Sequence, residues 1–338
     1  MKIAFFELEK WEEEYIKDNL EGHKLFFFNR PLNVRSVNKI KDIDIIACFI
    51  YSELNEEVLR DLPKLKFIAA MSTGFDHINI AYCKKIGIKI SNVPSYGGNT
   101  VAEHTFGLIL HLSKKLNDSI YRTKRNDFSL NGLMGFDLKG KTIGVIGVGN
   151  IGRHVVKIAK GFEMNVIAHS LYPDNKLSKE LGFKWTSFDE LLRKSDIITF
   201  HVPLNDSTRH MISMNSIKKI KKGAYLINTA RGEIVDTKAL LYGLNHDILA
   251  GAGLDVLEGE IDIKDEKALL KNTNKKIWEN FLQNHLLLKE KNVIVTPHSA
   301  FYTREALQRI LDITIENIKT FSKGKTMNRV VYNERTKS

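Results

Sequence analysis

The chain has 338 residues, of which 43% are hydrophobic and 27% charged, with six prolines; that length suits two domains with separate cores, and the composition excludes a disordered or fibrous chain. The formal net charge is +11, but the lysines are dispersed, with only short clusters such as Lys218-Lys219-Ile-Lys221-Lys222, so the charge reads as a solvated surface with a mild pull on anions and not as a nucleic-acid footprint. Cys48 and Cys83 give no disulfide framework and read as small core residues; no apolar run is long enough to span a bilayer, and the amino terminus turns acidic too soon for a secretion signal, which together suggest a cytoplasmic protein with no membrane partner.

The first 95 residues alternate short apolar runs with amphipathic ones. Strands are expected over 3–6, 24–28, 43–50, 66–71 and 89–92, and helices over 11–19 and 56–62. An apolar helix follows over 99–117, carrying Glu103, His104 and His111, with Asn99 or Thr100 as its N-cap. Beyond it, strands are expected over 142–147, 164–169, 196–201, 223–229, 249–256 and 293–296. Strands alternating with helices imply right-handed βαβ units and parallel sheets. An amphipathic helix over 274–291 lies in the long stretch before the last strand, where it reads as a local cover or a subunit contact. A final one, over 304–321, precedes a basic tail. The fold class is therefore α/β, with two doubly wound parallel-sheet domains. The first covers 1–98 and is completed by 301–338; the second covers 99–300. No internal repeat or low-complexity segment interrupts them.

The sharpest signal is Thr142-Ile-Gly-Val-Ile-Gly147-Val-Gly149-Asn150-Ile151-Gly152. A β-branched strand enters a G-x-G-x-x-G loop and a helical pattern (153–161) leaves it. Gly147 permits the tight turn, Gly149 admits a pyrophosphate to the backbone, and Gly152 lets helix and strand pack closely. The phosphates belong on the free N–H groups and positive dipole end of the new helix. This is a dinucleotide site.

A nicotinamide enzyme acting on an alcohol needs a proton carrier, a group that polarises the oxygen and a substrate anchor. Candidates stand just past strands of the second domain. Arg231 ends Asn228-Thr229-Ala230-Arg231-Gly232, where a bidentate guanidinium suits a carboxylate with a neighbouring oxygen. His298 follows the last strand and Pro297; Glu260 closes Gly253-Leu-Asp255-Val-Leu-Glu-Gly-Glu260. A carboxylate on an imidazole orients the ring and raises its pKa. Spacing alone does not bring Glu260 to His298.

Those segments, with His201-Val202-Pro203-Leu204 and Thr296-Pro297-His298, resemble in order the signatures of the D-isomer-specific 2-hydroxyacid dehydrogenases. Upstream, Ser72-Thr73-Gly74-Phe-Asp-His-Ile78 and Asn92-Val-Pro-Ser-Tyr96-Gly-Gly-Asn-Thr-Val-Ala-Glu-His104 are similar to that family's substrate loop and connecting helix. The likeness runs from about 40 to 315 and is most like the D-lactate dehydrogenase branch. It implies a Rossmann-type cofactor domain, a smaller flavodoxin-like substrate domain and an active site in the cleft between them. It also implies interconversion of a 2-oxo acid and a D-2-hydroxy acid with NAD. His298 is then the general acid and base with Glu260 as its partner. Arg231 binds the carboxylate, with the amides of Thr73 and Gly74, and Tyr96 faces the substrate. On the cofactor side, Asn150 and Ile151 join the glycines at the pyrophosphate. Val202, Pro203 and Thr208 line the adenosine half, Thr229 and Ala230 pass the nicotinamide ribose, and Asp255 meets the carboxamide. A homodimer formed through the cofactor domain is expected by the same analogy.

Two departures matter. Ser170 stands where the ribose-binding acid is expected, which weakens discrimination against a 2′-phosphate and opens the site to NADP, unless Asp174 substitutes. Met71 replaces a basic residue before the substrate loop, against a phosphorylated substrate. Phe49, Tyr51, Tyr96, Phe301 and Tyr302 are candidates for an aromatic pocket suited to small or aryl 2-oxo acids. The alternatives are a glyoxylate or hydroxypyruvate reductase, and a dinucleotide-sensing protein of the co-repressor type, since fold alone does not separate sensor from enzyme.

Overall fold

The computed structural model describes residues 1–260 and 274–330. The chain divides into two compact units, Met1–Tyr96 with Thr303–Ser338, and Gly97–Tyr302.

The first unit is built from β1 (Lys2–Phe6), α1 (Lys10–Asn19), β2 (Lys24–Phe28), β3 (Ile45–Cys48), α2 (Glu56–Arg60), β4 (Phe67–Ala70), α3 (Ile80–Ile86) and β5 (Lys89–Ser91). All five strands pair in parallel in the order β2-β1-β3-β4-β5. Every residue of β3 and β4 is buried, as expected where helices cover both faces of a parallel sheet. Ile46, Leu54, Val58, Leu59, Ile68 and Cys83 lie in one apolar cluster, each large aliphatic side chain contributing about 1.5–3 kcal/mol by leaving water. The short helices are fixed by caps. Asn55 Oδ1 accepts from Val58 N–H and Asn79 Oδ1 from Tyr82 N–H, each at 3.0 Å. With seven residues, α3 is too short for its periodicity to be seen in the sequence. The expected strand over 43–50 is shorter in fact, because Phe49 and Ile50 leave the ladder for a turn.

The second unit starts with α4 (Gly98–Ser113) and α5 (Leu116–Thr123). The sequence predicts one continuous helix over 99–117, and two are found. The Ser113 carbonyl, which would continue the helix, accepts instead from Phe136 N–H at 2.9 Å, and Lys115 turns left-handed at φ +49°. The N-cap is Gly97, not Asn99 or Thr100. The unit continues through β6 (Thr142–Ile146), α6 (Asn150–Gly161), β7 (Asn165–His169), α7 (Asn175–Leu181), β8 (Lys184–Trp185), α8 (Phe188–Lys194), β9 (Ile197–Phe200), β10 (Ala224–Asn228), α9 (Thr237–Asn245), β11 (Leu249–Leu254), α10 (Lys275–Lys289) and β12 (Val293–Val295). Seven parallel strands run in the order β12-β11-β10-β9-β6-β7-β8, the doubly wound order with one strand added at the far edge. The stretch 261–273 before α10 lies outside the described residues.

The last helix, α11 (Arg304–Ser322), belongs to the first unit. Thr303 Oγ1 caps it by accepting from Ala306 N–H at 3.2 Å. Its buried Leu307, Ile310, Leu311, Ile315 and Ile318 repeat at helical spacing. Phe321 stacks on Phe67 with centroids 4.3 Å apart, and Val330 N–H donates to Ile90 O at 3.0 Å. Among the described residues no helix is long and apolar enough to cross a membrane.

Candidate active site

The strand order of the second sheet reverses between β6 and β9, and the glycine loop leaves β6 at that point, where open parallel sheets hold ligands. Gly147 has φ +90°, and a Cβ there would lie 2.7 Å from His201 O and from Val202 Cγ1. A Cβ on Gly152 would lie 2.0 Å from Gly147 O, so any side chain drives α6 off β6. At Gly149, the N-cap of α6, nothing approaches a Cβ position within 4 Å. That position is exposed at the start of a 12-residue helix with no acid in its first turn, where Asn150 and Ile151 stand. The donor set fits a pyrophosphate: unpaired helix N–H groups and a positive dipole end.

The flanking residues shape this crevice. Val202 packs on the loop and Pro203 is exposed. Thr208 is buried; its hydroxyl donates to Pro203 O at 2.7 Å and accepts from Asn205 N–H at 2.8 Å, so it closes the loop after β9. Ser170 follows β7 directly, its hydroxyl oxygen accepting from Tyr172 N–H at 3.2 Å. Asp174 caps α7, its Oδ1 accepting from Lys176 and Leu177 N–H at 2.8 and 3.1 Å. Thr229 is buried with its hydroxyl 3.0 Å from that of Thr105 on α4.

Around the chemistry, β10, β11 and β12 end side by side. Asn228 holds the loop after β10 by donating to Arg231 O at 2.8 Å and accepting from Ala230 N–H at 3.0 Å, while Arg231 Nη1 donates to Ala230 O at 2.7 Å. A Cβ on Gly232 would lie 2.1 Å from the Leu257 carbonyl carbon, so the Arg231 loop lies directly on the one that leads to Glu260. His298 Nδ1 lies 2.5 Å from Glu260 Oε1, with side chains 15% and 22% exposed. The structure thus brings together the two residues that spacing could not. His298 itself is left-handed, φ +56°, a conformation disfavoured for any residue with a Cβ.

What holds that turn is Asp255, which is 1% exposed. One oxygen accepts from the Thr296 hydroxyl at 2.5 Å and Ser299 N–H at 2.9 Å; the other accepts from Ala300 N–H at 2.8 Å. His104 Nε2 lies 3.0 Å from Thr296 Oγ1 and 3.4 Å from Asp255 Oδ1. Burial works to raise the Asp255 pKa, but His104, Thr296 and the amides of Ala300 and Ser299 hold it below the usual carboxylate value. The sequence marked His104 on the connector without finding this role, because its partners stand far along the chain. A second pair was missed altogether. His210 Nε2 lies 2.8 Å from Glu258 Oε1, whose other oxygen accepts from the Thr237 N–H and hydroxyl, and Asn284 donates to Glu258 O. This cluster anchors the segment that ends at Glu260. His201 is no second acid: burial pushes its ring down to about 3, and Nδ1 is sealed from water without a partner.

In the first unit, the loop after β4 is pinned from several sides. Thr73 donates to Val93 O at 2.8 Å, Asn92 to Thr73 O at 2.8 Å, and Ser72 to Gly74 O at 2.6 Å. The amides of Thr73 and Gly74 have no backbone acceptor among the described residues. Met71 is fully buried below them. The Tyr96 carbonyl accepts from Arg309 Nε of α11. Of the aromatic candidates, Phe49 is buried and Tyr51 is 39% exposed. Phe301 and Tyr302, in the second unit, meet edge to face at 5.9 Å.

Residues 106–300 match the family model described as D-isomer specific 2-hydroxyacid dehydrogenase, NAD binding domain. A 2-hydroxyacid dehydrogenase homolog of Zymomonas mobilis is 37% identical over 332 residues, 97% of this chain and 98% of that one. An aromatic 2-oxoacid reductase of Clostridium sporogenes is 36% identical over 340 residues, 98% of this chain and 99% of that one. Among solved structures, D-lactate dehydrogenase from Aquifex aeolicus, complexed with NAD and lactic acid, has a TM-score of 0.85 at 37% identity. It covers 95% of this chain and 96% of its own.

Proposed function

The chain belongs to the D-isomer-specific 2-hydroxyacid dehydrogenases, and from that premise we propose how its residues divide the reaction. It is an NAD-dependent oxidoreductase that interconverts 2-oxo acids and D-2-hydroxy acids. The observation that carries the assignment of roles is the 2.5 Å contact between His298 Nδ1 and Glu260 Oε1.

When bound, the nicotinamide supplies the hydride that the 2-oxo carbon accepts. His298, protonated and held at Nδ1 by Glu260, presents Nε2 and gives its proton to the substrate oxygen as negative charge develops there; in the reverse direction it takes that proton back. Glu260 fixes the ring orientation and leaves Nε2 as the nitrogen that faces the substrate. Arg231 binds the substrate carboxylate and polarises the 2-oxo oxygen, a role its planar fork suits better than a lysine would. The amides of Thr73 and Gly74 grip the same carboxylate, and Tyr96 faces the substrate. Gly147, Gly149, Asn150, Ile151 and Gly152 hold the pyrophosphate, Val202, Pro203 and Thr208 shape the adenosine side, and Thr229 and Ala230 border the nicotinamide ribose. Asp255, expected at the carboxamide, also acts on the catalytic side, since its partners keep the His298 turn in place.

The substrate is a small or aryl 2-oxo acid without a phosphate, since Met71 gives a phosphate no positive anchor. Lactic acid in the Aquifex structure and the aromatic 2-oxoacids of the Clostridium relative's name lie within that class. Ser170 leaves no carboxylate to repel a 2′-phosphate, so NADPH is accepted beside NADH. A homodimer is supported by Phe128, Leu130 and Met134, which are 77%, 83% and 88% exposed on one segment of the cofactor unit, an apolar run that a second copy would cover.

The test is reduced-cofactor oxidation with pyruvate, phenylpyruvate, glyoxylate and hydroxypyruvate, each with NADH and NADPH. Turnover that yields the D-hydroxy acid is expected; dinucleotide binding with no turnover on any acid would overturn the catalytic roles in favour of a sensor. Ser170→Asp should lower kcat/KM with NADPH about tenfold or more while leaving NADH nearly unchanged. Equal use of NADPH by both forms would refute the role of Ser170.

A further inference from the structure

The five-stranded sheet also has a reversal point, between β1 and β3, and its carboxyl edge there is where an open parallel sheet receives a ligand. The residue that follows β1 is Glu7; the segment that follows β3 is the turn 49–52. Glu7 has φ +66°, a left-handed conformation that a residue with a Cβ keeps only where its surroundings impose it, and such residues gather at functional sites.

The surroundings here do impose it. Glu7 N–H donates to Phe28 O at 2.8 Å. One carboxylate oxygen accepts from Tyr51 N–H at 3.0 Å and the other from the Ser52 hydroxyl at 2.5 Å. Ser52 is 0% exposed, and its oxygen also accepts from Leu32 N–H at 3.0 Å. A single residue therefore ties together the chain as it leaves β1, β2 and β3, its amide on the end of β2 and its carboxylate on the turn after β3. Apolar packing would close such a spot at no desolvation cost, so the charge reads as a means of fixing one backbone geometry. The backbone it fixes lies between a buried Phe49 and an exposed Tyr51. The same turn is joined to the loop after β4: Met71 N–H donates to Cys48 O at 2.8 Å and Leu54 N–H to His77 O at 3.0 Å.

We infer that Glu7 is a positioning residue for substrate selection: through Tyr51 N–H and the Ser52 hydroxyl it fixes the turn 49–52 as the wall that meets the side chain of the 2-oxo acid. The inference rests on the reading of Thr73 and Gly74 as the grip on the substrate carboxylate. The loop after β4 has the strand ends of β3 and β5 on either side, and on this inference the substrate's side chain lies against the β3 end, where the turn is fixed by Glu7. Glu7 does not touch the reacting atoms.

The experiment compares kcat and KM for pyruvate and phenylpyruvate, with NADH, in wild type, Glu7→Ala, Glu7→Gly, Glu7→Gln, Ser52→Ala and the control Ile16→Val. Ile16 is buried on α1, outside the apolar cluster that takes in Cys48 and Leu54 on either side of the turn. With the wall unfixed, the ratio of kcat/KM between the preferred and disfavoured acid should fall about fivefold or more toward unity in Glu7→Ala and Ser52→Ala, mostly through KM, with kcat within about twofold. Glu7→Gly relieves the backbone strain but lacks the carboxylate, so it should lose selectivity while keeping its thermal midpoint. Glu7→Gln, which retains an acceptor for Tyr51 N–H, should recover part of the ratio. Ile16→Val should lower the midpoint and leave the ratio alone. Should Glu7→Ala fail to fold, Ser52→Ala and Glu7→Gly carry the comparison. An unchanged ratio in those folded variants would overturn the inference while leaving the catalytic reading intact. A wild type that binds NADH yet reduces neither acid would remove that reading and this inference with it.

Discussion

The two units solve the same problem, an open crevice where a parallel sheet reverses its strand order, by opposite means. In the second sheet the crevice is made of absent side chains: Gly147 and Gly152 let backbones approach to distances that a Cβ would forbid. In the first it is made of side chains that hold loop backbone and one another, with Glu7 on the Ser52 hydroxyl and the Tyr51 N–H, Thr73 on Val93 O and Asn92 on Thr73 O. A dinucleotide presents the same pyrophosphate to every protein, and backbone N–H groups suffice to bind it. A substrate side chain varies, and only side chains can shape a wall to it. The contrast explains why one crevice is rigid by construction and the other by hydrogen bonding.

The largest effect expected from breaking this division is at Arg231. Arg231→Leu leaves the glycine loop untouched and should reduce kcat/KM by about a thousandfold, the scale of a desolvated charge pair losing one partner, with NADH affinity unchanged. Steady-state kinetics beside a dinucleotide titration would check both halves; a parallel loss of NADH affinity would contradict the separation. Gly152→Ala should do the reverse: its Cβ meets Gly147 O at 2.0 Å, so NADH affinity should fall about tenfold or more and the thermal midpoint with it.

Asp255→Asn should have an intermediate effect. Both oxygens of Asp255 accept hydrogen bonds, and an amide can supply only one acceptor oxygen. One partner in the His298 turn is then lost, and kcat should drop about tenfold. A wild-type kcat in Asp255→Asn would remove Asp255 from the support of that turn.

The smallest effect concerns Glu12 in the first unit, which is 2% exposed, with Oε2 accepting from Glu9 N–H at 2.7 Å and Oε1 unpartnered. Burial is the main cause that raises its pKa to about 7, offset in part by the Glu9 N–H. The folded state then holds a proton that the unfolded chain releases between its ordinary value of 4.5 and about 7. Stability from this group is therefore greatest below that window and declines as pH rises through it. Glu12→Gln should gain on the order of 1–2 kcal/mol relative to wild type between pH 5 and pH 8. Denaturant melts at the two values would show it, and a pH-independent difference would refute it.

The same contrast governs what the sequence revealed. In the second unit six of the seven strands were legible, since they are short apolar runs and the crevice carries glycines at fixed spacing. Where the reading failed there, the cause was local. Phe136 N–H takes the Ser113 carbonyl and splits the connector helix, and β8 has only two residues. The first crevice left little trace, because nothing in the sequence says that Glu7 is left-handed or that it meets Ser52 across 45 positions. His104 with Asp255, and His210 with Glu258, were hidden for the same reason: pairs made by the return of the chain carry no spacing signal. The resemblance supplied the partnership of His298 and Glu260, which the fold then placed in contact.

The most direct test of the account is His298→Gln, measured for NADH affinity and for turnover with the best 2-oxo acid in the same preparation. A dissociation constant within about twofold of wild type is expected, with a kcat lower by about a hundredfold or more. A kcat within about tenfold of wild type would contradict the assignment of the proton to His298, and with it the division of the reaction drawn from this structure.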